Sequence, residues 1–207
     1  MRKNFTQSGY IGADGRRQIR DDWFGTGIPS NIQIAEDVYI DSSYGFAGCH
    51  TAMENGIAID NATGLYDRTS FAIGLNARMK IGKFSILNGC NFICNQYIEI
   101  GSYCMISWGT YISDSWLINI GTSSKEKEDK LRYASNSIQR NINPYCGETA
   151  PVLIDDGAWI GFGSTILPGV KIGKYAVVGC KSVVSINVPA FAVVAGNPAR
   201  IIKYLTP

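Results

Sequence analysis

Residues 152–188 read VLIDDGAWIGFGSTILPGVKIGKYAVVGCKSVVSINV, and their spacing decides the architecture. Counting from Ile154 in steps of six gives Ile154, Ile160, Ile166, Ile172, Val178 and Val184, each a β-branched aliphatic. Four residues after each stands a smaller one: Ala158, Ser164, Val170, Ala176, Ser182 and Val188. Six is even, so a strand carries the repeating residue on one face. A helix turns about 240° over six residues and would scatter the same residues around its axis. Glycines at 157, 161, 163, 169, 173 and 179 also oppose a helix, and Pro168 suits a corner. Each hexad is therefore one short strand and one corner. Three hexads make a triangular coil, stacked on the next at about 4.8 Å, with the large aliphatic inside and the small residue at the turn.

The same register runs through earlier residues more loosely. Ile100, Ile106 and Ile112 make one coil; Ile81, Leu87 and Ile93 make another; Ile59, Leu65 and Phe71 make a third. Ile34 and Ile40 begin a fourth, with Phe46 as its third member. With the coils from Ile154, this predicts about six coils and ~29 Å of prism. The gap from Phe46 to Ile59 holds Gly48, His50 and Gly56 and reads as a protruding corner. The expected divisions are an extension over 1–33, coils over 34–113, an inserted loop over 114–151, coils over 152–190 and a tail over 191–207. The centre of the insert, KEKEDKLRYASNSIQRN, is polar; a loop this long in a compact repeat is more often functional than not. In the tail, NPARIIKYL predicts a short helix over the end of the prism.

Composition excludes several classes. Hydrophobic residues are 45% and charged residues 17% of 207, as in a globular chain. No apolar run reaches the length of a membrane-spanning helix. The opening MRKNFTQSGYIGADGRR lacks the apolar core of a signal peptide. A net charge of +2 gives no reason to expect nucleic acid. Six cysteines, at 49, 90, 94, 104, 146 and 180, fit no zinc spacing and are expected as reduced, mostly buried thiols of a cytoplasmic protein. No metal is expected. The single histidine, His50, also excludes a trimeric carbonic anhydrase, whose metal needs three histidines.

Residues 152–203 closely resemble the C-terminal half of the hexapeptide-repeat acyltransferases, through WIG, LPGV and GNPAR as well as the bare repeat. Galactoside, maltose, xenobiotic and surface-polysaccharide O-acetyltransferases belong to that family. Residues 81–114 resemble it moderately, and the N-terminal third only in period. The resemblance implies an all-β fold, a left-handed parallel β-helix, exceptional against the usual right-handed crossover. It implies a homotrimer with acetyl-CoA in grooves between neighbouring prisms and a sugar-like acceptor. By resemblance Trp159 lines the acyl end, and backbone groups at Phe162 and Cys180 bond the pantetheine amides. Ser185, Arg200 and Lys203 match positions near the phosphates and adenine. Guanidinium and ammonium groups are suited to those phosphates. Ile186 stands where relatives often have a lysine.

The catalytic corner departs from the pattern. The family deprotonates its acceptor with a histidine where the chain leaves the repeat for the long loop. Here Ser115 holds that position beside Asp114, and Asn88 matches an asparagine near the acceptor. His50 falls about three coils away, roughly 14 Å along the axis. An ordinary aspartate is a weak base at neutral pH. A free amine attacks a thioester without first losing a proton. The missing histidine shifts weight toward an amino-sugar N-acyltransferase or a non-catalytic trimer that keeps the fold, with O- and N-transfer to a sugar or polysaccharide precursor both left open. Tyr97, Tyr103, Trp108, Tyr111 and Trp116 gather near this point in sequence and suit a sugar site.

Overall fold

The computed structural model describes residues 10–116, 123–136 and 147–206. The opening residues read against a signal peptide lie in part outside this range, as do Cys146 and part of the insert. The hexads fold as their period requires, into a left-handed parallel β-helix of about six turns. Three parallel ladders make its faces. On face one, Ile34, Ile59, Ile81, Ile100, Ile154 and Ile172 stand in register. On face two the ladder is Ile40, Leu65, Leu87, Ile106, Ile160, Val178 and Val194. On face three it is Phe71, Phe92, Ile112, Ile166 and Val184. All but Ile34 are buried, and together they fill the prism with one continuous apolar column. All six small residues following the C-terminal hexads are buried at corners, as their size demands.

Two expectations are corrected. Phe92, and not Ile93, points inward: Phe92 is 1% exposed and Ile93 37%. The corner between Leu87 and Asn91 is one residue short, so the step is five. Phe92 then stacks on Phe71 with ring centroids 5.4 Å apart, and Phe71 stacks on Phe46 at 5.1 Å. The tail is not helical. Ala199–Tyr204 is a strand, antiparallel to Ala192–Gly196 on the last turn of face two. Its Ile201–Ile202 pair suits a strand, and a ready-made sheet edge overrides the weak helical preference of Ala, Arg and Leu.

At the other end, Tyr10–Ile11 and Arg17–Gln18 form an antiparallel hairpin. The Arg17 guanidinium donates to the Ile34 carbonyl at 3.2 Å, covering an acceptor of the first turn of face one. The insert leaves from the corner between faces three and one. Its two ends are pinned together: Trp116 N–H donates to Glu148 O at 3.1 Å and Ala150 N–H to Asp114 O at 2.8 Å. Inside the insert, Ser124–Asn136 forms helix α1. Ser123 caps it, its hydroxyl accepting from Glu126 N–H while the Glu126 carboxylate accepts from Ser123 N–H at 2.9 Å. Among the described residues no helix is long and apolar enough to cross a membrane.

Candidate active site

The faces differ in charge. Outward side chains of face one are largely polar and ion-paired: Lys80–Glu99 at 3.5 Å and Lys171–Asp155 at 3.7 Å. Faces two and three carry no Lys, Arg, Asp or Glu at their outward strand positions from Gly64 to Val183. They present Ile86, Met105, Trp159, Ile93 and Tyr111, each more than a third exposed. An uncharged outer surface on two faces of three is suited to contact with other copies.

Five of the six residues expected at the cofactor lie together on face two and its corner with face three. Trp159, Val177, Val193 and Lys203 are successive steps of one outward ladder. Beside them, Phe162 and Cys180 occupy the corner on consecutive turns, Lys181 N–H donating to Phe162 O at 2.8 Å. Gly161 is glycine because a Cβ would lie 2.7 Å from Cys180 N, so the backbone here stays bare. Arg200 pairs with Ala195 at the top of the strip. Both cations thus stand about three strand spacings, ~14 Å, above Trp159. Ser185 is placed elsewhere, at the opposite edge of face three, past Val184.

The corner expected to be catalytic is at that opposite edge. Asp114 does not face solvent. It continues the inward line of Ile73 and Cys94 and is 0% exposed. Its carboxylate accepts from the backbone N–H groups of Asn95, Gln96 and Tyr97 at 2.8, 2.8 and 2.7 Å. The Cys94 thiol approaches it at 3.4 Å, and burial together with the Asp114 charge pushes that thiol well above its usual range. Asp114 therefore closes the corner at Asn95–Tyr97. Ser115 is half-buried, and its hydroxyl accepts from the Asn95 side chain at 2.7 Å. His50 N–H donates to Ile73 O. The line Cys49, Ile73, Cys94, Asp114 puts His50 three turns below Ser115. The aromatic group named from the sequence is dispersed: Tyr103 stacks on Phe84 at the corner of faces one and two, Trp108 at that of two and three, and Trp116 in the neck of the insert. Asn88 is half-buried on face two, opposite Tyr66, and its amide has no protein partner among the described residues.

Within one chain the two sets cannot meet. Trp108 and Ser115 end the same pass across face three, with Thr110–Asp114 between, which is roughly 15 Å of extended chain.

Residues 151–185 match the family described as Bacterial transferase hexapeptide (six repeats). A Saccharomyces cerevisiae protein, YJL218W, whose name proposes an acetyltransferase, is 48% identical over 137 residues, covering 58% of this chain and 68% of that one. The chain belongs to the hexapeptide-repeat acetyltransferase family. A second relative, the chloramphenicol acetyltransferase of Morganella morganii, is 28% identical over 151 residues, 62% of this chain and 68% of that one. Among solved structures, a hexapeptide-repeat acetyltransferase of Vibrio cholerae O1 biovar eltor, complexed with acetyl coenzyme A, shares the fold with a TM-score of 0.54. It is 24% identical and overlaps 70% of this chain and 69% of its own.

The described residues that sequence reading passed over are Asp67, Arg68 and Trp23. No motif marks them, because they belong to the loosely periodic N-terminal third. Only the stacking of turns brings them below Trp108.

Proposed function

We propose that this protein is a cytoplasmic, homotrimeric acetyltransferase that moves the acetyl group of acetyl-CoA to a sugar. The strip on face two carries the reading. It has an indole at its lower end, bare backbone at Gly161 and Gly179 in the middle, and Arg200 and Lys203 at the top. An acyl thioester, a pantetheine arm and phosphates need those three chemistries in that order. Relatives named as acetyltransferases and a fold neighbour complexed with acetyl coenzyme A support the cofactor.

In this reading Ser113, Ser115 and Asn95 face the thioester from the neighbouring copy. Asp114 is a positioning residue: by holding three N–H groups it fixes the turn that presents Asn95 and Ser115. Ser115 accepts from Asn95, which leaves its own proton free to bond an acceptor or the developing oxyanion. No side chain at this corner is placed to take a proton from an alcohol. A free amine needs none removed before it attacks and loses its proton only after the C–N bond forms and the thiolate leaves, so an amino sugar in its free-base form is the acceptor favoured by the chemistry. The same closure of Asp114 favours the second reading, a non-catalytic trimer that keeps the fold.

Acetyl-CoA titrated calorimetrically into the full chain, with thiol release measured on paired amino and hydroxyl sugars, decides between these. Binding that weakens about tenfold in the Arg200→Glu, Lys203→Glu double variant, with release on an amino sugar, is expected. Binding without release on any sugar leaves the non-catalytic reading. No binding to the parent at millimolar concentration ends the acetyltransferase reading and leaves the non-catalytic trimer.

A further inference from the structure

We infer that the corner directly below Phe162 is the acceptor subsite, built by Trp108, Asp67, Arg68 and Trp23 for a pyranose ring that carries hydroxyls and no anionic group; this rests on the acyl-transfer reading above. Trp108 lies one turn under Phe162, Gly163 N–H donating to its carbonyl at 2.8 Å. Its indole lies down across the corner at Gly89. A Cβ there would be 3.0 Å from the ring, and the backbone is left-handed at φ +50°. Laid flat, the indole N–H reaches back and donates to the Asp67 carboxylate at 2.5 Å. The next residue, Arg68, holds its guanidinium 5.4 Å from the centre of the Trp23 ring, and Trp23 stacks on Tyr44 at 5.5 Å.

Two indoles are thus held in place and are still 55% and 61% exposed. Isolated surface aromatics are ordinary in a strand-rich protein. These differ in that a carboxylate and a guanidinium fix them and stand between them. One Asp67 oxygen accepts from Trp108; among the described residues the other has no protein donor, and the Arg68 guanidinium has no carboxylate partner. A sugar hydroxyl both donates and accepts, so an adjacent carboxylate and guanidinium can bind neighbouring hydroxyls while an indole covers the C–H face of the ring. The two charges cancel. Asp41, accepting from Arg68 N–H at 3.1 Å, adds a negative charge and disfavours an anionic sugar. A ring seated on Trp108 lies about one strand spacing from Phe162, with Asn88 beside it.

The test measures methyl glucoside, methyl 2-amino-2-deoxyglucoside and glucuronate binding to the full chain by calorimetry, with acetyl-CoA binding measured separately. Arg68 is left-handed at φ +61°, so Arg68→Gly removes the guanidinium while suiting the backbone. Expected are binding of the two uncharged or amino glycosides, about tenfold weaker in Trp108→Ala and in Arg68→Gly, with acetyl-CoA affinity and melting temperature of Arg68→Gly held. Trp108→Phe, which keeps a ring but loses the bond to Asp67, should fall between. Equal sugar affinity in parent and variants overturns the subsite, as does absence of sugar binding or tighter binding of glucuronate. Loss of acetyl-CoA binding in the parent, with sugar binding intact and sensitive to these variants, sinks the acyl-transfer reading and leaves the sugar subsite standing.

Discussion

Asp114→Asn distinguishes an anchor from a base, because it keeps the shape of the side chain and removes its charge. The three N–H groups at Asn95, Gln96 and Tyr97 are held by two carboxylate oxygens. An amide offers one oxygen. It can keep the pair on one side, but the third N–H then meets an NH₂ group and is orphaned, at about 1–3 kcal/mol. The surviving bonds lose their charge assistance, about 1 kcal/mol more. The total is about 3 kcal/mol, which in a chain of this size lowers the melting temperature by about 6–12 °C. Asp114→Ala orphans all three donors and should cost about 3–9 kcal/mol, a large share of a typical stability. Calorimetric melts of parent and variants at one fixed protein concentration give the comparison, with acetyl transfer assayed below the lower melt. If Asp114→Asn melts within about 1 °C of the parent while its rate falls about 100-fold, Asp114 is a chemical group and the anchoring account is wrong.

Four further outcomes are expected. Ile166→Asp, placing a carboxylate at a wholly buried position between Ile112 and Val184, should unfold the C-terminal turns; a melt equal to the parent's would contradict the register. Light scattering should report a trimer at micromolar concentration, and a stable monomer would remove the composite site. Of the described cysteines Cys180 is the exposed one, whereas burial pushes Cys90 up to about 12 and Cys49 and Cys104 up to about 11. Iodoacetamide should therefore label Cys180 first, and acetyl-CoA should slow that labelling; labelling indifferent to acetyl-CoA would place the coenzyme elsewhere. Ser115→His should raise transfer to a hydroxyl and leave transfer to an amine unchanged, while His50→Ala, three turns away, should change either rate by less than about tenfold; a larger loss at His50 would make it part of the chemistry.

The residues from Ile154 onward were legible because their hexad is unbroken, so periodicity alone places each side chain inside or outside. Earlier coils slip wherever a corner gains or loses a residue. The five-residue step from Leu87 to Phe92 turns Ile93 outward, and two adjacent large apolar residues give no signal of which is inside. The tail misled because NPARIIKYL meets its partner, Ala192–Gly196, only across a turn, and local propensity cannot see an edge waiting to be paired. At the candidate site, family motifs single out Trp159, Phe162 and Cys180, and the structure puts all three on face two or its corner with face three; their role at a coenzyme is the proposal made above. The inward direction of Asp114 was not, since it depends on counting two residues past Ile112 in a strand whose neighbours are Ile73 and Cys94. The pairing of Trp108 with Asp67 lay further out of reach: 41 residues and two turns separate them.

The strand at Ala199–Tyr204 also governs what the prism does to its surroundings. A stack of parallel coils has no intrinsic length. Each end exposes N–H and C=O rows at the 4.8 Å repeat that a further copy can extend, as in a cross-β fibre. Reversing the chain direction on the last turn of face two replaces a row that matches the next coil with one that does not. Lys203 on that strand adds charge against docking. At the opposite end Arg17 occupies the Ile34 carbonyl. Cutting the chain after Gly196 would take only Ala199 from the buried core, yet convert a particle of fixed size into a seed for filaments.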